Sequence, residues 1–377
     1  MSSTLHDFVH RPQPAFTWTE VKHEGNVQEL RFTSQTWQGR EWKHDLMIVW
    51  PDHNPRTDHA ILVVTGDRVD RVDVPFAKKL CEASHLPVAT LFNVPNQPLY
   101  DLREDDLISY TFQRYFETES VDWPLLFPMV NSAVKAMDVL SHVHGKWPLK
   151  HFVVTGESKR GWTTWLTSAL NDPRVLAIAP VAFDFLKFKA QLHHQMEVWG
   201  GLSDMLRAYA DPAVQSEVDS PAGQHLIQMV DPYAYLHQMK VPVLIVRGTN
   251  DPYWPADATS LYWDDIKTKK GMLVLANEGH DFQSDDIYVR TMAVFANHFS
   301  ELPMGSDAYS EWLDAFGKWP ISWVAYASGQ DFRASPWHEE SHLSLPGPHD
   351  SYLGRYQSYQ WRQGTLCEPV YVGRAKH

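Results

Sequence analysis

Cysteine is nearly missing from this chain: Cys81 and Cys367 are the only two among 377 residues. Two thiols build neither a disulfide scaffold nor a four-cysteine zinc site, and their state says little about compartment. Long hydrophobic runs are missing too. No stretch approaches the roughly 20 apolar residues that span a bilayer, and Met1 to Phe16 has no apolar run behind basic residues. The sequence as it stands therefore reads as cytoplasmic. Positive charge is short: 33 Lys and Arg against 46 Asp and Glu give a formal net charge of −13. No basic run longer than a pair lies on a helical face, so no nucleic-acid partner is expected. Repeats and low-complexity segments are also absent. What is present is a 44% hydrophobic content, enough for one large core with a smaller appended module.

The pattern along the chain points to an α/β fold. Leu30–Thr33 and Trp42–Trp50 read as strands around a Gln38-Gly39 turn. Alternation follows: strand Ile61–Gly66, crossover helix Pro75–Ser84, strand Pro87–Val94, then helical spacing of Val130, Val134, Met137 and Leu140. Strands separated by helices imply a mostly parallel sheet with helices on both faces. Trp162, Trp165, Leu166, Ala169 and Leu170 form one helical stripe suited to core packing. Strands follow at Val175–Phe183, Val241–Gly248 and Gly271–Ala276, and a last helix carries Ile287, Val289, Met292, Ala293, Phe295 and Ala296.

Two segments break the alternation. Residues 184–239 are mainly helical and aromatic, and an insertion there is expected to cap the carboxyl edge of the sheet. Beyond Pro303 short strand-like runs at Ile321–Ala327, Tyr356–Trp361 and Pro369–Gly373 suggest a small β module. The expected division is thus residues 1–302 and 303–377.

The chemistry concentrates at Val153-Val154-Thr155-Gly156-Glu157-Ser158-Lys159-Arg160-Gly161, where a β-branched run ends in Gly-x-Ser and continues as a helix. That strand–turn–helix context is the nucleophile elbow of α/β-hydrolases, whose acid and base follow in the order Asp, His. Asp251 leaves the end of strand Val241–Gly248, and His280 the end of Gly271–Ala276. Three turns at one sheet edge would gather Ser158, His280 and Asp251. Oxyanion donors are expected from the backbone at Lys159 and at Asp67, with Arg68 as the fallback. One departure stands out. The usual motif has glycine two places after the serine, where this chain has Arg160, so the turn differs or Arg160 points away.

Each feature also has a plainer reading. A serine before a helix is often an N-cap, and Asn250-Asp251-Pro252 is a common turn. His193, His194 and Glu197 have a spacing that can hold zinc, yet no His-Glu-x-x-His pattern is present, and no metal or cofactor is expected. Asn96 and Gln97 follow a strand end where ligands bind. Trp199, Tyr253 and Trp254 could wall an apolar pocket or simply pack.

Thr33-Ser34-Gln35-Thr36-Trp37, Asn93-Val94-Pro95-Asn96-Gln97-Pro98-Leu99, Trp123-Pro124-Leu125, Lys135-Ala136-Met137-Asp138 and the long block Thr155 to Leu166 resemble the PhoPQ-activated pathogenicity-related protein family. The likeness runs from about Thr17 to the C-terminus. That family includes a secreted autocrine proliferation repressor, which makes an exported location the alternative expectation. The resemblance implies the α/β-hydrolase fold, with Ser158 as nucleophile and Asp251 and His280 as its acid and base, and Arg160 belongs to its pattern. Glu157 stands where relatives are expected to carry a small residue. It could hold a substrate amine or face Lys159. The expected function is cofactor-free ester hydrolysis through an acyl-Ser158, with peptide hydrolysis and non-catalytic signalling as alternatives.

Overall fold

The computed structural model describes residues 4–53, 58–66, 73–210, 212–282, 286–302, 321–340 and 351–374. Its main sheet has nine strands: β1 (Thr17–Glu24), β2 (Val27–Trp37), β3 (Arg40–Val49), β4 (His59–Val64), β5 (Val88–Leu91), β6 (His151–Glu157), β7 (Val175–Val181), β8 (Val243–Gly248) and β9 (Lys270–Leu275). Their spatial order is β1-β2-β3-β5-β4-β6-β7-β8-β9. The first three strands run antiparallel, and β5 through β9 are parallel. Burial explains the sequence pattern. Strands β8 and β9 are buried at every position, as a sheet covered on both faces requires.

Helices α1 (Thr4–Val9), α2 (Asp73–Ser84), α3 (Glu104–Thr118), α4 (Leu126–His142) and α5 (Lys159–Ala169) accompany the first half of the sheet. Helices α6 (Phe188–Trp199), α7 (Pro212–Glu217) and α8 (Pro221–Val230) lie between β7 and β8, and α9 (Asp286–His298) follows β9. The stripe from Trp162 to Leu170 is buried throughout. On α9, Val289, Met292, Ala293, Phe295 and Ala296 are buried but Ile287 is exposed, because it lies on the outer side of the first turn. Helices α1 and α3 carried no signal that the alternation made visible. Helix α3 begins with Glu104, Asp105 and Asp106, acidic residues that suit the positive end of its dipole.

A separate antiparallel sheet closes the chain: β10 (Ile321–Ala327), β11 (His338–Glu339), β12 (Tyr352–Trp361), β13 (Gly364–Cys367) and β14 (Tyr371–Arg374), with β14 pairing β12. Its buried Trp337, Tyr356, Trp361 and Leu366 join the same hydrophobic core as the main sheet. Leu366 packs so close to Gly271 of β9 that a side chain there would touch it. Among the described residues, no helix is long and apolar enough to cross a membrane.

Candidate active site

Ser158 occupies the single-residue turn between β6 and α5 with φ 57° and ψ −121°, a conformation that L-residues rarely adopt. Its N–H donates to Val181 O at 2.9 Å, locking the turn to β7. Two glycines make this possible. A Cβ on Gly156 would lie 2.8 Å from Arg160 Cβ, and one on Gly161 would lie 2.6 Å from Val181 O. The close helix–strand approach is therefore carried by Gly161, one place later than usual, and Arg160 turns away.

The Arg160 side chain is buried and spoken for. Its guanidinium donates to both carboxylate oxygens of Glu104 at 2.7 Å, and Nε donates to Val94 O at 2.5 Å. Gly66 leaves it room, since a Cβ there would stand 2.4 Å from a guanidinium nitrogen. Gln97 completes the clasp, donating to Glu104 Oε1 at 2.5 Å and accepting from the Glu104 N–H at 2.9 Å. Burial alone would raise the Glu104 carboxyl, but Arg160, Gln97 and Lys159 outweigh it and hold the group down at about 2.

Asp251 follows β8 and is fully buried. Its Oδ1 accepts the Tyr253 N–H at 2.8 Å, and its Oδ2 lies 2.8 Å from His280 Nδ1. On the other side of the ring, His280 Nε2 is 2.9 Å from Ser158 Oγ. The Tyr253 ring stacks on the imidazole with centroids 4.2 Å apart. The acid and base turns are also tied together: Asn250 N–H donates to Glu278 O, and Asn277 N–H donates to Thr249 Oγ1 at 2.8 Å. Parallel strands end at one edge, so residues 122 apart in sequence meet.

Lys159 opens α5, and its backbone N–H belongs to the first turn, where a helix has no acceptor of its own. Its side chain does not serve Glu157. The ammonium lies 2.8 Å from Asp105 and 3.6 Å from Glu104, over the face of Tyr253. Burial works to lower its pKa, yet the Asp105 carboxylate wins and raises it. Asp67 and Arg68, the other expected oxyanion positions, lie outside the described residues.

The profile of the PhoPQ-activated pathogenicity-related proteins matches residues 5–311. The chain belongs to that family. The match starts before Thr17 and stops short of β10, so the terminal sheet lies beyond it. Autocrine proliferation repressor protein A of Dictyostelium discoideum is 29% identical over 314 residues, covering 76% of this family member and 63% of the repressor. The chain thus spans less than two thirds of that relative's length. Among solved structures, acetyl xylan esterase 1 from Thermoanaerobacterium sp. JW/SL YS485 is similar with a TM-score of 0.52 at 14% identity, covering 77% of this chain and 90% of that one. An acetyl xylan esterase from Paenibacillus sp. R4 has a TM-score of 0.55 at 11% identity, over 78% and 90% of the two chains. These likenesses establish the α/β-hydrolase fold of this family member.

Ser158 opens on a cavity of about 150 Å³ between α3, α5 and the segment joining β7 to β8. Tyr253 and Trp254 line it. Trp199 does not: at the end of α6 it stacks under the Arg333 guanidinium, 4.2 Å from its ring. The His193 and His194 pair also separates, because neighbours on a helix point about 100° apart. His194 Nε2 binds Asp257 at 2.7 Å, while the exposed His193 faces Glu197 at 3.5 Å. Asn96 donates to Lys43 O and Gln97 to Glu104, so both brace a loop. Asp58, His59 and His151 bring three ligand-type atoms within 4.8 Å of one another, at the amino ends of β4 and β6, far from Ser158.

Three residues of the site carried no sequence signal taken up above: Glu104, Asp105 and Tyr209. The acidic start of α3 was the available clue to the first two.

Proposed function

We propose that this protein is a serine hydrolase of carboxylic esters that uses only its own side chains and water. The observation that carries the reading is the continuous hydrogen-bonded line Asp251–His280–Ser158 ending at a strained serine on an apolar pocket. Ser158 Oγ adds to the ester carbonyl as its proton passes to His280 Nε2. Asp251 holds Nδ1 protonated and balances the imidazolium. The tetrahedral intermediate collapses, the alcohol leaves with the proton from Nε2, and the acyl group stays on Ser158. Water then repeats the sequence, releasing the acid and restoring the serine. The first-turn N–H of Lys159, at the positive end of α5, faces the oxyanion that forms in each half.

The esterase names of the fold neighbours agree with this chemistry. A peptide substrate anchored by its amine at Glu157 finds less support, because Glu157 lines a second cavity beside Ser158 and not the apolar one, while Asp105 in the apolar one is already bound by Lys159 and by Tyr209 at 2.9 Å. Signalling without turnover is favoured by the name of the Dictyostelium relative alone. The test is hydrolysis of simple esters by the wild type and by Ser158→Ala. The variant should lose nearly all turnover with an unchanged melting temperature, and equal rates would reject the mechanism.

A further inference from the structure

Resting on the serine-hydrolase reading, we propose that the site takes esters bearing a compact, uncharged apolar group of about six to eight carbons, rather than sugar acetates. The volume sets the size, since a cavity of about 150 Å³ lined by apolar side chains is large enough for one benzene-sized group. The wall chemistry sets the polarity. Trp162 stacks on Phe183 with centroids 5.0 Å apart, and Trp254 meets Phe185 at 4.9 Å, so aromatic carbon faces surround the space.

The polar atoms of these walls are engaged elsewhere. Trp162 Nε1 donates to Val230 O at 2.5 Å, and Trp254 Nε1 donates to Ala182 O at 3.2 Å, which leaves both indoles only their faces to offer. Asp105, Lys159 and Tyr209 satisfy one another. In this cavity a sugar would lose its water without finding donors and acceptors in return, a cost that apolar groups do not carry; the second cavity that Ser158 lines, walled by Thr155, Glu157 and Arg160, is the polar one. Aromatic boxes also hold quaternary ammonium groups. Here Lys159 already lies over the face of Tyr253 and is paired with Asp105, so neither that ring face nor that carboxylate is left for a second cation.

The experiment separates binding from chemistry. Calorimetric titration of Ser158→Ala with methyl acetate, methyl hexanoate and hexyl acetate should show affinity rising by up to about fourfold per buried methylene. At least tenfold between acetate and one of the six-carbon esters is expected, and whichever ester gains shows whether the acyl or the alcohol side enters. Leu192→Trp and Ile227→Trp, at half-buried wall positions, should bring that ratio towards one. Two different sites guard against a variant that fails to fold, which melting curves will reveal. Equal affinity for methyl acetate and both six-carbon esters, or tightest binding of acetylated xylose or acetylcholine, would overturn the proposal. Chain-length selectivity in binding without wild-type turnover would uphold the pocket and reject the serine mechanism. Turnover without selectivity would do the reverse.

Discussion

Asp251 is fully buried, and its Oδ2 lies 2.8 Å from His280 Nδ1. Asp251→Asn should leave the fold intact and cut kcat by a large factor, on the order of 10⁴ as in the serine-protease triad, because an amide favours the wrong imidazole tautomer. Asp257→Asn should keep near-normal rates, since Asp257 serves His194. Steady-state kinetics of the two variants side by side checks both. Glu104 supports a pH prediction. Its carboxyl sits at about 2 in the folded chain against an ordinary 4.5, so its ionised form favours folding. That contribution is complete above 4.5 and is lost as pH falls towards 2. Glu104→Gln should therefore lower the melting temperature clearly at pH 7, with the gap to wild type closing in acid; a constant gap would show that Glu104 acts by packing. Ser158, Asp251 and His280 were legible because their order and turn positions reflect one sheet edge. The Arg160–Glu104 clasp was not, since 56 residues separate partners of common type and only the fold brings them together.

At the scale of elements, the segment joining β10 to β11 holds the two turns that carry Asp251 and His280. Asn250, next to Asp251, donates to the carbonyls of Arg333 and Ser335 at 3.0 Å. Asn277, at φ 64° in the turn that leads to His280, exchanges two hydrogen bonds with the backbone of Trp337. Removing both amides by Asn250→Ala with Asn277→Ala should lower kcat several-fold more than it changes KM, because the acid and base lose alignment while the pocket is untouched. Each lost amide should also cost about 1–2 kcal/mol of stability in chemical denaturation. A stability loss with normal kcat would limit the brace to folding. The strand–helix alternation of β4 to β9 could be read because buried parallel strands are short apolar runs between periodic helices. Helix α3 escaped that reading: its apolar residues are interleaved with polar ones such as Ser109 and Thr111, both of which it buries. Trp199 escaped it too, because composition does not say which way a tryptophan at a helix end will point.

At the scale of the whole molecule, one core unites a nine-stranded hydrolase sheet with a five-stranded sheet that lies beyond the family match. The helices between β7 and β8 supply much of the pocket wall. Broken alternation announced them, whereas the shape and apolar lining of the pocket depended on residues of α3, α5 and α8 coming together, which no local pattern records. The architecture makes Ser158 the point where sheet, helix dipole, imidazole and pocket converge. The most direct measurement of that claim is reaction of the folded protein with a fluorophosphonate, followed by mass spectrometry of the proteolytic peptides. A single adduct on Ser158, absent from His280→Ala, is the predicted result, because only a base-activated hydroxyl reacts quickly. No adduct under conditions that label an authentic serine hydrolase, or an adduct on a different serine, would contradict it.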